Sequence, residues 1–181
     1  MIALLLLDEG RSLEAAQWLL QSLVRIPTEN PPGDTRAAVD FLQQIVRELG
    51  WHSLHVGDGA AQSLLIWVGN AGPTFVLNAH LDTVVAGEPN QWSAPPFEGR
   101  IADGRLYGRG AADNKAGVTA ALLALAALRR MPPAGVRIAA MLVADEETGG
   151  HEGTQRVIRD GYLDRLDTRA ALVCWQAGKR S

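Results

Sequence analysis

The sequence predicts an α/β fold, a mostly parallel mixed sheet with helices on both faces. Three observations predict it. Segments of helical periodicity alternate with short apolar runs that read as strands. Glycine and proline punctuate most of the boundaries between them. Three motifs bearing His, Asp or Glu follow strands or glycine turns, and loops after strand ends form the ligand crevice of open α/β sheets.

The elements follow in order. Residues 1–10, MIALLLLDEG, are apolar but far below the roughly 20 residues that span a bilayer. They lack the basic start and small-residue cleavage site of a signal peptide, so they are expected to pack on the core. Residues 12–25 read as an amphipathic helix with Leu13, Ala16, Leu20, Leu23 and Val24 on one side and Ser12 as its cap. PTENPPGD, residues 27–34, ends it, because proline cannot continue a helix. Asp34 or Thr35 caps a second helix that runs to Leu49, with Val39, Leu42, Ile45, Val46 and Leu49 inward and Gly50 as its stop.

Strands are expected at residues 51–56, 63–68 and 73–79, the last two joined by the turn NAGP. A long loop, residues 84–97, carries Pro89, Pro95 and Pro96, and a small hairpin at 99–107 turns on Asp103 and Gly104. GRGAADNKAG, residues 108–117, leads into an Ala- and Leu-rich helix at 116–130 that MPPAG breaks. Residues 135–143 form the most apolar strand, 153–160 a short helix and 170–174 a last strand.

Composition narrows the function. The chain has 181 residues, 47% hydrophobic and 20% charged, with net charge -3 and pI about 5.8. That suits one domain, burying roughly 70% of the surface of its unfolded chain. Neither the charge nor any Lys/Arg cluster points to a nucleic-acid or membrane partner. The single cysteine, Cys174, excludes an internal disulfide and a Cys-based zinc site, and leaves the cytoplasm as the default compartment.

The chemistry lies in three motifs. In LNAHLDTV, His80 and Asp82 sit two apart just past a strand, on one side of an extended chain. His is the commonest metal ligand and a carboxylate can fix its tautomer; the plain alternative is a surface loop with an incidental His. In YGRGAADNKAG, Asp113 falls at the start of a helix, where it could serve simply as an N-cap. A phosphate loop fits poorly, since the third glycine of a dinucleotide fingerprint is missing and Lys115 is not followed by Ser or Thr. In DEETGG, Asp145, Glu146 and Glu147 stand in a row. Like charges 4 Å apart repel by about 4 kcal/mol at an effective dielectric near 20. A solvated acidic turn is the bland reading; a divalent cation offsetting the repulsion is the chemical one, and Asp, Glu and His ligands suit Zn²⁺, Mn²⁺ or Co²⁺. Such a set can hold one or two ions and leave a carboxylate free to take a proton from water.

AHLDTV, GRGAADNKAG and DEETGG, in this order, resemble the three signatures of the M20 metallopeptidases, the group of acetylornithine deacetylase, succinyl-diaminopimelate desuccinylase, aminoacylase and the glutamate carboxypeptidases. IPTENPPGD and WSAPPFEGRIADGRLYGRG also match, so the resemblance covers roughly residues 12–150. It implies a zinc-dependent exopeptidase-like fold and hydrolysis of amide bonds in N-acyl amino acids or small peptides, with two Zn²⁺ ions (or Co²⁺ or Mn²⁺). It implies that His80 binds one metal, Asp82 orients His80, Asp113 bridges both metals with a cis peptide bond before Asn114, Glu146 is the general base and Glu147 ligates a metal. RIPTENPPGD leans toward the deacetylase and desuccinylase branch.

The match ends in ALVCWQAGKRS. The family has a further acidic ligand after the strand at 170–174; here Trp175 or Gln176 stands there. The family's lid domain, used in dimerisation, and its final ligand histidine have no counterpart among the remaining residues; His151, His52 and His55 are expected at the surface. The expectation is an incomplete catalytic domain over residues 1–181, cut short near Cys174, weakly active or inactive, or alternatively a non-catalytic metal-binding fragment.

Overall fold

The computed structural model describes residues 11–130 and 134–175. The expectation for residues 1–10, and the helix break at 131–133, lie outside them. Seven strands and five helices follow one another: α1 (Ser12–Val24), α2 (Arg36–Leu49), β1 (His52–Val56), β2 (Ser63–Val68), β3 (Thr74–His80), β4 (Arg100–Ala102), β5 (Arg105–Tyr107), α3 (Lys115–Arg130), β6 (Arg137–Val143), α4 (Thr154–Arg159), α5 (Tyr162–Arg165) and β7 (Thr168–Val173).

Five strands form one mixed sheet in the order β1-β2-β6-β3-β7. β6 and β7 both pair parallel to β3, and β2 pairs antiparallel to β6 and to β1, so four strands point one way and β2 against them. NAGP does join β2 to β3, but these strands are not partners: β6 lies between them. The turn therefore crosses the start of β6, where a Cβ on Gly72 would run into the Gly135 carbonyl. Gly72, at φ 90°, permits that crossing.

β6 is buried on both faces, as a central strand must be. Its alternate residues serve two cores. Ala140 and Leu142 join Leu23 of α1, Leu42 and Val46 of α2, and Leu122 and Leu125 of α3. Ala139, Met141 and Val143 face Val157 of α4 and Leu166 after α5. Helices thus cover both faces, the three long ones on one side.

α2 buries Val39, Leu42, Ile45, Val46 and Leu49, and Gly50 ends it at φ 63°. Asp34 accepts the Arg36 backbone N–H at 3.1 Å, whereas the Thr35 hydroxyl turns to the Ala60 and Gln62 carbonyls. In α1 the inward stripe agrees with the expected one at Leu23 and Val24, both buried, and differs before them: Ala15 and Leu19 are buried, and Leu13 is 81% exposed. Ser12 is the first helical residue, not the cap; Arg11 occupies that position, its guanidinium paired with Glu14. The hairpin β4–β5 turns on Asp103 and Gly104, both at positive φ.

Candidate metal centre

β3 and β6 lie side by side and parallel, with His80 opposite Val143, so the loops that leave both strands start together. Leu81 N–H donates to the Val143 carbonyl at 2.7 Å and extends the pairing past the strand end. Alternation then buries Leu81 in the core and turns His80 and Asp82 the other way. His80 is 5% exposed and Asp82 is fully buried.

The acidic turn begins at Asp145 in a left-handed conformation, φ 65°. Its carboxylate accepts the Thr148 hydroxyl and the Glu152 backbone N–H. Asp145 therefore builds the turn, and of the three successive acids only Glu146 and Glu147 serve the site. Their backbone N–H groups donate to the two carboxylate oxygens of Asp82, at 3.1 and 3.2 Å.

Asp113 arrives from the glycine loop that precedes α3. Its peptide bond to Asn114 is cis, as the family resemblance implies. Its carboxylate goes to the site and not to the helix end: Asp113 Oδ1 lies 3.0 Å from His80 Nε2. The loop is anchored by Lys115, 1% exposed, whose ammonium donates to the Leu23 and Ile26 carbonyls at 3.0 and 2.7 Å. Burial pushes this amine down to about 8.

His80 is the hub. Its Nδ1 lies 3.0 Å from the Asp82 carbonyl, an acceptor only, so Nδ1 carries a proton and Nε2 faces Asp113. Nε2 is also 3.8 Å from Glu146 Oε2. Burial alone lowers the basicity of His80, but the Asp82 hydrogen bond and the charges of Asp82, Glu146 and Asp113 outweigh it and raise the imidazole to about 9. Burial likewise raises Asp82, yet its bonds from His80, Asn30 and the Glu147 amide bring it below the usual carboxylate range. Glu147 is pushed up, first by burial and then by Asp113, Glu146 and Asp82 around it, against the pull of His80.

Four carboxylates surround one imidazole. One ligand atom from each of His80, Asp113 and Glu147 falls within 4.8 Å of the others, which is the size and chemistry of a divalent-cation site. Among the described residues this is the one such group of three or more His, Cys, Asp or Glu. The three residues coincide with the three metal ligands implied by the resemblance, and Asp82 and Glu146 flank them.

The other sequence candidates lie elsewhere. His151 bonds the Gln155 side chain at 3.1 Å, and His52 stacks on Trp67 with centroids 5.4 Å apart. Trp175 is 65% exposed, and Gln176 lies outside the described residues. Sequence reading missed two residues: Lys115, seen only as an argument against a phosphate loop, and Asn30, whose amide reaches Asp82 at 2.9 Å. NPPG was the only local hint of the second.

Known proteins share both the sequence and the fold of this chain. Residues 76–180 match Peptidase family M20/M25/M40. A succinyl-diaminopimelate desuccinylase of Rhodospirillum centenum is 38% identical over 147 residues, which cover 77% of this chain and 37% of that protein. A second, from Methylorubrum extorquens, is 35% identical over 147 residues, 77% of this chain and 38% of that one. The chain thus spans well under half the length of the curated relatives it matches. In three dimensions it superposes on an M20 family metallo-carboxypeptidase of Sulfolobus solfataricus with TM-score 0.77 and 22% identity, covering 90% of this chain and 37% of that one. Human carnosine dipeptidase 1 gives TM-score 0.72 at 22% identity, with 95% and 39% covered.

Proposed function

Because the chain belongs to Peptidase family M20/M25/M40, we propose that its residues form the metal-binding part of a hydrolase that cleaves an amide bond in an N-acyl amino acid or small peptide. The observation that carries this is the convergence of His80, Asp113 and Glu147, from three separate segments, within reach of a single ion. The desuccinylase relatives favour an N-succinyl or related N-acyl amino acid as substrate.

His80 Nε2, Asp113 and Glu147 would hold a divalent ion, with Zn²⁺ proposed and Co²⁺ or Mn²⁺ as substitutes. Such an ion supplies Lewis acidity, which polarises an amide carbonyl and makes water more acidic. Asp82 holds the His80 Nδ1–H toward itself and so keeps Nε2 turned to the site. Glu146, its side chain 56% exposed beside His80, is placed to take a proton from water and pass it to the departing amine. Residues 1–181 are proposed as part of a catalytic domain, and dimerisation through a lid domain, which the resemblance implies, is proposed for the intact protein.

A second reading, a metal-binding fragment without turnover, is favoured by one observation: the described residues supply a single ligand triad, and Trp175 or Gln176 stands where the resemblance places another acid. Metal analysis with hydrolysis assays on N-acetyl-ornithine, N-succinyl-diaminopimelate and a dipeptide ending in glutamate separates the two. Turnover abolished by Glu146→Gln supports the hydrolase, and bound metal without turnover supports the fragment. Failure to bind any divalent ion sinks both.

A further inference from the structure

The proline-rich segment that precedes α2 is zipped along the chain that leaves β3. The Thr28 hydroxyl donates to the Leu81 carbonyl at 2.8 Å, Thr83 N–H to the Thr28 carbonyl at 3.0 Å, and Asn30 N–H to the Thr83 carbonyl at 2.7 Å. Ala86 N–H reaches the Glu29 carboxylate at 2.7 Å. This zipper delivers one buried polar side chain, Asn30 (8% exposed), to the junction between the two acid-bearing loops.

There the Asn30 amide nitrogen donates to Asp82 Oδ2 at 2.9 Å and to Thr148 Oγ1 at 2.9 Å, and lies 3.3 Å from Asp145 Oδ1. Thr148 passes its own proton to Asp145, so its oxygen is free to accept. With two carboxylates facing it, only the NH₂ side of the amide can point this way; the carbonyl side would meet both with like charge. Gly33 leaves room behind it for the carbonyl side, since a Cβ there would lie 2.9 Å from Asn30 Oδ1.

Resting on the metal-site reading above, the geometry points to Asn30 as the positioning residue that locks the Glu146–Glu147 turn onto Asp82. Asp82 Oδ2 takes two donors, Asn30 and the Glu147 amide. Asp82 Oδ1 takes the Glu146 amide and faces His80. Asn30 is the one donor in this set that also grips the turn from its far side, through Thr148. Without it the turn keeps its two amide bonds to Asp82 but loses the second tie, the bridge from Asp82 to Thr148, and the Glu147 carboxylate loses its register with His80 and Asp113.

The test uses the full chain and the series Asn30→Ser, Asn30→Ala and Asn30→Asp, with Gly33→Ala as a second route that displaces the amide. Hydrogen exchange at the Glu146 and Glu147 amides reads the lock without any metal. Co²⁺ titration, with its visible absorption spectrum, reads the ligand geometry. Asn30→Ala should speed exchange at these two amides by about ten-fold while β6 exchange is unchanged, weaken Co²⁺ by about ten-fold and alter its spectrum. Asn30→Ser, which keeps one donor, should fall between wild type and Ala; Asn30→Asp, which adds a carboxylate, should be worst. Unchanged exchange and Co²⁺ binding in Asn30→Ala overturn the assignment, as does exchange that only follows global unfolding. If wild type binds no Co²⁺, the metal reading falls, and the exchange experiment still decides the role of Asn30.

Discussion

His80 Nε2 and Asp113 Oδ1 lie 3.0 Å apart although 33 residues separate them in the chain. One end of the contact is fixed by β3, the other by a loop pinned through buried Lys115. Two independently held groups that meet at this distance are pre-organised, so little of the ordering cost remains to be met when a cation binds. Substituting His80→Ala or Asp113→Ala should each weaken Zn²⁺ or Co²⁺ binding by at least about 100-fold, measured by calorimetric titration. Wild-type affinity in either variant would place the ion elsewhere.

The neighbouring glutamates should separate by role. Glu147 belongs to the ligand triad, and its carboxyl group is the one pushed up by burial and by the acids around it. Glu146 lies outside the triad, 3.8 Å from His80, and is more exposed. Glu147→Gln should therefore cost metal affinity by about ten-fold or more. Glu146→Gln should leave affinity within about three-fold and instead lower any measured hydrolysis by about 100-fold or more. Equal loss of metal in both variants contradicts this division.

These roles show where sequence reading has power and where it stops. Five of the six buried positions of α2 were legible because its polar and apolar faces are cleanly divided; Ala38 was the one missed. In α1 two apolar stripes, Leu13-Ala16-Leu20 and Ala15-Leu19, run into the shared Leu23 and Val24, and periodicity cannot choose between them; packing against α3 selects the second. α5 is four residues long, too short to show a period. The proposed ligand set was legible because spaced motifs carry it. Asn30 was not, because its partners lie 52, 115 and 118 residues away and nothing local announces them. Asp145 was indistinguishable from its acidic neighbours until its left-handed backbone turned it into the loop.

Lys115 gives a prediction about stability. Its ammonium sits at the carboxyl end of α1, where helix carbonyls gather partial negative charge. Lys115→Met removes the cost of burying an amine but takes away the donor to the Ile26 carbonyl, while the Leu23 carbonyl keeps Ile26 N–H at 3.1 Å. Two lost charged hydrogen bonds, to the Leu23 and Ile26 carbonyls, and one stranded carbonyl outweigh the relief, so the variant should lose about 1–3 kcal/mol, read as a lower urea midpoint. An unchanged or higher midpoint would show that the burial cost dominates. The loop that carries Asp113 should loosen in parallel.

The edge of the sheet gives the last. β7 pairs with β3 on one side, and among the described residues no strand pairs with its other side. Five of its six residues are exposed, Leu172 and Val173 at 63% each, and Trp175 follows at 65%. An open edge with apolar side chains on both faces is a template for another strand. The chain should therefore self-associate at micromolar concentration, eluting as broad or oligomeric species in size-exclusion chromatography with light scattering. Placing a charge at the edge should counter this at little cost to the core, since these side chains contribute little burial: Val173→Lys should shift the elution toward monomer without lowering the free energy of unfolding by more than about 0.5 kcal/mol. A sharp, concentration-independent monomer peak for the unsubstituted chain would show instead that this edge is protected.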